Sequence, residues 1–240
     1  MVKTWLKPLA AGVIFLSSAS GTSALAQNAG KSYDIGGTEV TVPLPNGMCM
    51  TSRRHPRDRA LHDYMDRANS GRSRILMIMV SCDELQAFRS HKQEVLRNYG
   101  MSAIPTRMVA KLVKQPRPIF VRQMTDFFKR SGMAILENRK DKFAKRIENA
   151  LPGLTVNQQK FLGVLHSDDQ ALHLGFLQKL TFPTIGTVVV TGVFSMTVLR
   201  GKMIGLYRYK HYKGLDTVAD LMNLQRRWVK DAIKANPRGT

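Results

Sequence analysis

The chain of 240 residues is strongly basic, because 37 lysines and arginines outnumber 17 acidic residues and give a formal net charge of +20. Hydrophobic residues make up 43% of the sequence, and no low-complexity tract or internal repeat is present. This composition excludes an intrinsically disordered chain, and the length suits one domain with a sizeable core.

The first 26 residues have the three-part layout of a secretory signal peptide. Lys3 and Lys7 precede an apolar run from Leu9 to Leu16, and Ala24-Leu25-Ala26 forms a small-x-small cleavage site. The run is shorter than the roughly 20 residues that span a bilayer. We expect cleavage after Ala26 and a periplasmic or secreted protein; an uncleaved N-terminal anchor is the alternative.

The polar composition of residues 27–32 predicts a flexible tail. Residues 33–236 are predicted to form a single domain. Thr38 to Val42 alternates valines with polar residues, which indicates a strand. A helix is predicted to begin near Pro56 and to end at Ser70-Gly71.

The chain has two cysteines, Cys49 and Cys82. In an oxidising compartment, two thiols without a third favour an intramolecular disulfide. For a loop of this length the disulfide would stabilise the folded protein by roughly 3 to 4 kcal/mol. Two buried free thiols are an alternative. A metal site is another, although neither cysteine has a close cysteine or histidine partner in the sequence.

The next elements are predicted from short patterns. Arg74 to Val80 is an apolar run typical of a buried strand, and Tyr99 to Thr106 indicates another strand. Between them, Ser81 and Glu84 have the spacing of a capping box, which predicts a helix from Cys82 to about Arg97.

The middle of the chain, about residues 107–151, is predicted to be helical and basic. Apolar residues recur at helical spacing on both sides of Ser131-Gly132. The opposite face of the second predicted helix carries a basic cluster, which is our candidate anion-binding site: Arg139, Lys140, Lys142, Lys145 and Arg146. The alternative is a solvated charged face with no ligand.

The last third predicts two β-hairpins and a final helix. The first hairpin turns at residues 167–170 and the second at Arg200-Gly201, and Asp216 is expected to cap the helix. The run from Thr184 to Leu199 is apolar enough to raise a transmembrane alternative, but its β-branched residues favour a strand.

Helices interleaved with strands, followed by four strands and a helix, predict an α+β fold. The expected core is an antiparallel sheet with a C-terminal four-strand meander, packed with helices in a manner similar to an α/β/α sandwich.

Two motifs carry a family resemblance. One is Gly37-x-x-Val40-x-Val42-Pro43-x-Pro45-x-Gly47-x-Cys49; the other is Ala68-Asn69-x-Gly71-x-x-x-Ile75-Leu76, which continues to Cys82-x-Glu84-Leu85. They resemble a family of small exported proteobacterial proteins with no settled function. The order of elements is also similar to the α/β/α sandwich of the PsbP and Mog1 proteins. The family likeness implies that both cysteines belong to the scaffold, and it places no catalytic residue.

No catalytic motif is present: the sequence lacks HExxH, G-x-S-x-G and a glycine-rich loop before a helix. His62-Asp63 could orient a base, and His166, Asp168, Asp169 and His173 bracket one hairpin turn, where a weak metal site is conceivable. A polar turn is the simpler interpretation of this hairpin. The thirteen methionines suit a core better than a copper site.

We therefore expect a non-enzymatic envelope protein without a cofactor or bound metal. Its positive field favours an anionic partner, and outside the cytoplasm the abundant ones are anionic lipid, lipopolysaccharide and polysaccharide rather than nucleic acid. An envelope protein is a further possible partner. The alternative function is a small exported hydrolase whose active site is assembled from dispersed residues.

Overall fold

The computed structural model describes residues 30–237. The predicted signal peptide and the first half of the predicted tail lie outside the described residues. Strand β1 begins at Lys31, so the last two residues of the predicted tail, residues 31–32, belong to this strand.

Residues 30–237 form an α+β fold of nine strands and six α-helices. The strands are β1 (Lys31–Ile35), β2 (Thr38–Val42), β3 (Met48–Met50), β4 (Ser73–Ser81), β5 (Asn98–Pro105), β6 (Thr155–Ser167), β7 (Leu172–Phe182), β8 (Gly186–Leu199) and β9 (Lys202–His211). The helices are α1 (Pro56–Asn69), α2 (Cys82–Arg89), α3 (Arg117–Phe127), α4 (Met133–Glu137), α5 (Lys140–Ala150) and α6 (Leu215–Lys234). A 3₁₀ turn occupies Thr106–Met108, and a π-helical turn, Phe128–Gly132, links α3 to α4.

Seven of the strands form one antiparallel sheet in the order β3-β4-β5-β9-β8-β7-β6, and β1 and β2 form a separate hairpin. The predicted four-strand meander is present as β6 to β9, but the sheet is larger than those four strands. Its last strand, β9, pairs with β5 as well as with β8 and so joins the meander to β3, β4 and β5.

The first face of the sheet is covered by the β1–β2 hairpin and by α6. Val40 of the hairpin and Trp228 of α6 meet sheet residues such as Leu206 in one fully buried cluster. The indole Nε1 of Trp228 donates to the carbonyl of Pro43 at 2.8 Å, and the Asn236 side chain bonds the backbone of Thr41. These contacts hold the hairpin and α6 together over the sheet.

The second face of the sheet is covered by the other helices. Leu85 and Phe88 of α2 pack on Val80 of β4, and Phe120 of α3 packs near Leu172 of β7. The molecule therefore has three layers, with the sheet between one helix and hairpin on one side and five helices on the other.

Several sequence predictions agree with these bounds. Strand β2 has the predicted limits, α1 begins at Pro56 and ends before Ser70, and both C-terminal hairpins are present. The expected disulfide is confirmed: Cys49 on β3 is bonded to Cys82 at the start of α2, with their Cα atoms 4.8 Å apart. An intramolecular disulfide indicates an oxidising compartment.

The predictions of helix ends were less accurate. Ser81 is the N-cap residue of α2, but its side chain makes no capping hydrogen bond. The Glu84 carboxylate instead accepts hydrogen bonds from the backbone N–H groups of Arg97 and Asn98, and α2 ends at Arg89 rather than near Arg97. The last helix is capped by Gly214, not by Asp216.

The segment for which a transmembrane alternative was considered is strand β8, in the centre of the meander. Among residues 30–237, no helix combines the length and the apolar character needed to cross a membrane.

Candidate functional site

The second face of the sheet carries a row of aromatic rings. They form the bottom of a cavity, and we call them the aromatic floor: Phe161, Phe176, Phe194, Tyr207 and Tyr209. Phe194 and Tyr207 are stacked with their ring centroids 4.5 Å apart, and Phe176 meets Tyr209 edge to face at 5.6 Å. The rings come from four neighbouring strands, so the floor is built by the meander itself.

Two glycines allow these rings to lie across the strands. A Cβ atom at Gly192 would overlap the ring of Phe176, and one at Gly205 would lie 2.8 Å from the Phe194 ring. Since a real Cβ atom essentially never approaches so closely, any larger residue at these positions would push the rings away from the sheet. The glycines therefore set the depth of the cavity above the floor.

Residues 117–150, which include α3, the π-helical turn, α4 and α5, lie over this floor, and we call them the helical cover. Phe128, Met133, Leu136 and Phe143 of the cover line the cavity from above. The cavity measures about 490 Å³, which lies within the range of small-molecule sites in proteins.

The cover is tied to the rest of the molecule at both ends. Ahead of α3, the buried Nζ of Lys202 donates to the carbonyl of Val109 at 2.8 Å, and Arg117, the first residue of α3, donates through Nε to the carbonyl of Val198 at 2.8 Å. At the end of α5, the guanidinium of Arg67 donates twice to the carbonyl of Ala150. The cavity therefore has a fixed position between the sheet and this segment.

Four basic residues lie at the edge of the cavity: Arg72, Arg139, Lys142 and Arg146. Three of them are exposed and Arg146 is half-buried, so they lie at its opening to solvent. None of the ion pairs formed within residues 30–237 involves any of the four. Burial, together with the nearby Arg72 guanidinium, lowers the pKa of Arg146. An anion bound here would relieve this repulsion between like charges.

The remaining polar groups around the cavity are neutral. Burial raises the pKa of Tyr207 to about 12 and raises the pKa of Tyr209 well above its ordinary value, so both phenols stay protonated at neutral pH. No aspartate, glutamate, histidine, serine, threonine or cysteine is among the described residues that line the cavity. The site therefore offers an apolar body and a positive edge.

The structure separates the five residues of the predicted basic cluster. Arg139, Lys142 and Arg146 line the cavity. Lys140 is paired with Glu137 at 2.6 Å, and neither it nor Lys145 lines the cavity. The spacing of three and four residues places Arg139, the N-cap residue of α5, on the same side as Lys142 and Arg146 of the helix.

Sequence reasoning missed Arg72 and the aromatic floor. Arg72 comes from the loop after α1, and only the fold brings it to α5. Part of the aromatic floor could have been predicted from the sequence, because Tyr207 and Tyr209 are two residues apart on one strand and therefore lie on the same face of the sheet.

A second apolar cavity of about 290 Å³ lies beside the first. It is lined by residues of α1, β7 and the 151–154 turn together with Tyr99, whose ring stacks on Tyr209 at 4.6 Å. The stacked tyrosines therefore separate two apolar spaces on the same face of the sheet.

The predicted histidine group is present at the β6–β7 hairpin. His166 and His173 are cross-strand partners with ring centroids 5.7 Å apart, and His166 lies 3.3 Å from Asp168. Asp168 accepts hydrogen bonds from the turn backbone, and His173 is fully buried against Ser195 at 2.6 Å. Within residues 30–237 no group of three or more potential ligands could hold a metal ion. This geometry is that of a polar turn.

The prediction that Asp63 orients His62 is wrong. The Asp63 carboxylate instead accepts a hydrogen bond from Arg53 at 2.8 Å, and His62 Nε2 lies 2.9 Å from the hydroxyl of Thr51. Burial lowers the pKa of His62, and the positive charge of Arg53 adds to this effect.

Comparisons with protein-family models, with curated proteins and with solved structures return no match for this chain. The resemblances to a family of exported proteins and to PsbP and Mog1 therefore stay predictions from the sequence.

Proposed function

We propose that this is an exported, non-enzymatic protein that associates with anionic lipid surfaces through its helical cover. One observation carries the proposal: the segment that holds much of the positive charge also holds most of the exposed large apolar side chains.

Residues 107–151 contain twelve basic and four acidic residues, which gives them +8 of the chain's total of +20. The other 163 described residues contain 22 basic and 13 acidic residues, a net charge of only +9. The positive field is thus concentrated on the helical cover and the loop before it. Each basic residue near an anionic membrane contributes about 1 kcal/mol of attraction.

The same segment presents unusual apolar surface. Eight large apolar side chains are exposed within residues 30–237, and five of them belong to residues 107–151: Leu112, Ile119, Phe127, Ile135 and Phe143. Surface helices that combine lysine and arginine with exposed phenylalanine and isoleucine are typical of proteins that lie at the lipid–water interface. The charges attract such a surface, and the apolar groups can insert into it.

The charged groups lining the cavity also support binding rather than hydrolysis, since all of them are cationic. Export is supported by the signal-peptide pattern and by the disulfide. Intact-mass measurement of protein recovered from the periplasm or medium should give a chain that begins at Gln27. A chain that retains Met1 would contradict cleavage.

Co-sedimentation with vesicles tests the association. We expect binding to vesicles of phosphatidylglycerol and phosphatidylcholine, little binding to phosphatidylcholine alone, and a steep loss of binding as salt rises. The attraction acts over a Debye length of roughly 8 Å at physiological salt. Absence of binding at low ionic strength would disprove the proposal.

Charge reversal locates the surface. The triple variant Arg139→Glu, Lys142→Glu and Lys145→Glu should weaken vesicle binding at least tenfold. The matched control reverses three exposed basic residues of α6, which packs on the first face of the sheet: Arg226, Arg227 and Lys230. Equal losses from both triples would mean that the whole positive field, and not the cover, is responsible.

A further inference from the structure

We infer that the cavity between the helical cover and the aromatic floor binds the acyl chain of one anionic amphiphile, with the anionic group held by the basic edge. The ligand class we assign is a medium-chain fatty-acid carboxylate. The inference rests on the proposed function only in taking an anionic lipid as the ligand; the cavity lies between the cover and the sheet and shares Arg139, Lys142 and Phe143 with the surface of the cover.

The apolar part of the ligand is indicated by the cavity lining. The aromatic floor lies below and four apolar residues of the cover lie above: Phe128, Met133, Leu136 and Phe143. At about 30 Å³ per heavy atom, the share that a water molecule has in the liquid, 490 Å³ holds on the order of sixteen heavy atoms. Dodecanoate therefore fits within the cavity as a whole.

The anionic part is indicated by the charges at the opening. Arg72 and Arg146 lie close enough for the charge of one to lower the pKa of the other, and no described carboxylate pairs with either. A guanidinium binds a carboxylate through two parallel hydrogen bonds. Arg139 and Lys142 lie along the same helix face and add to the positive potential.

A neutral apolar ligand would leave these cations unpaired, and a small hydrophilic anion would leave the aromatic floor without contacts. An amphiphile satisfies both parts of the site at once. Each methylene that becomes buried should raise the affinity about fourfold, so binding should strengthen from octanoate through decanoate to dodecanoate.

The test uses the full mature chain and a monomeric probe, dodecanoate itself, below the concentration at which it forms micelles. We expect isothermal titration calorimetry to show saturable binding of one dodecanoate per chain. Leu136→Trp fills the cavity from α4 and should abolish binding, whereas Ile135→Trp, at an exposed neighbouring position of the same helix, should leave it unchanged.

A second pair of variants tests the basic edge. Arg139→Gln with Arg146→Gln should weaken dodecanoate binding at least tenfold and leave dodecanol binding unchanged. Lys140→Gln with Lys145→Gln removes the same charge from positions that do not line the cavity and should have little effect on either ligand. Equal losses from the two double variants would overturn the assignment of the head-group site.

The outcomes separate this inference from the proposed function. Wild-type protein that binds vesicles but shows no saturable binding of the monomeric probe would overturn the inference and leave the proposed function standing. Binding of the probe without binding to vesicles would do the reverse. Leu136→Trp protein that still binds vesicles but not the probe would support both.

Discussion

The two faces of the seven-stranded sheet are closed in different ways. On the first face, α6 and the β1–β2 hairpin bury residues such as Trp228 and Ile204 to within 1% of full burial. On the second face, the helical cover leaves a cavity of about 490 Å³ and exposes Phe127 and Phe143 by 44% and 38%. Close packing supplies stability, whereas a loosely filled layer leaves room for a ligand. The difference separates a stabilising face from a candidate binding face.

The largest expected effect comes from the first face. Trp228→Ala should lower the free energy of unfolding by about 3–5 kcal/mol, because it leaves a cavity in a fully buried cluster and breaks the hydrogen bond to Pro43. Phe143→Ala on the cover should cost less than about 1 kcal/mol, since its ring is partly exposed. Urea unfolding of both variants measures this contrast, and equal costs would contradict it.

The disulfide has the next largest expected effect. The double variant Cys49→Ala and Cys82→Ala should lose about 3–4 kcal/mol of stability, because the bond closes a long loop, with a sequence separation of 33, in the unfolded chain. The bond lies outside the helical cover, so binding of dodecanoate should persist under conditions in which the variant stays folded. A loss of stability below about 1 kcal/mol would argue against this estimate.

The free energy of unfolding should also depend on pH because of His173, which lies on the first face of the sheet. Burial lowers the pKa of His173 to about 4, whereas an unfolded histidine titrates near 6.5. Between these values the unfolded state binds more protons, so stability falls as pH falls, by about 1.4 kcal/mol per pH unit at most. The nearby charged groups are Asp168, His166 and Arg226.

His173→Gln removes this proton-binding difference. Unfolding measured from pH 7 to pH 4.5 should therefore show a shallower loss of stability for the variant than for the wild type. Parallel profiles would mean that His173 is protonated in the folded state as readily as in the unfolded chain.

The smallest effect on stability is expected at the exposed apolar groups. Phe127→Ser should change the free energy of unfolding by less than about 0.5 kcal/mol, because nearly half of the side chain is in solvent. It should weaken vesicle binding about fivefold if the ring inserts into the lipid interface. Leu215→Ser, at an even more exposed position outside the cover, is the matched control. A similar loss from both would remove Phe127 from the binding surface.

Local sequence patterns were sufficient for much of the fold. Alternation of valines defined β2, and Pro56 with Ser70-Gly71 marked both ends of α1. The helix α2 was predicted too long: it ends at Arg89, and His91 adopts a left-handed backbone conformation two residues later, which the apolar pattern did not indicate. The pairing of β9 with β5 could not be predicted from the sequence either, because no local pattern specifies which distant strand becomes a neighbour.

The candidate site was predicted only in part for the same reason. A charge pattern on one helix pointed to five basic residues, of which Arg139, Lys142 and Arg146 line the cavity and Lys140 and Lys145 do not. The cavity exists because the Phe176 ring lies over Gly192 of the next strand and because Arg72 approaches α5 from another loop. These contacts join residues that are far apart in sequence, so periodicity within one element could not indicate them.

The fixation of the helical cover at both ends has a consequence for hydrogen exchange. Lys202 holds the segment before α3 and Arg67 holds the end of α5, so the π-helical turn and α4 are the part that can open while the protein stays folded. Amide hydrogens there should exchange through local openings whose rates are nearly independent of denaturant, whereas those of the α6 core should exchange only on global unfolding. An amphiphile could then enter and leave through a local opening of this one short segment while the sheet stays folded.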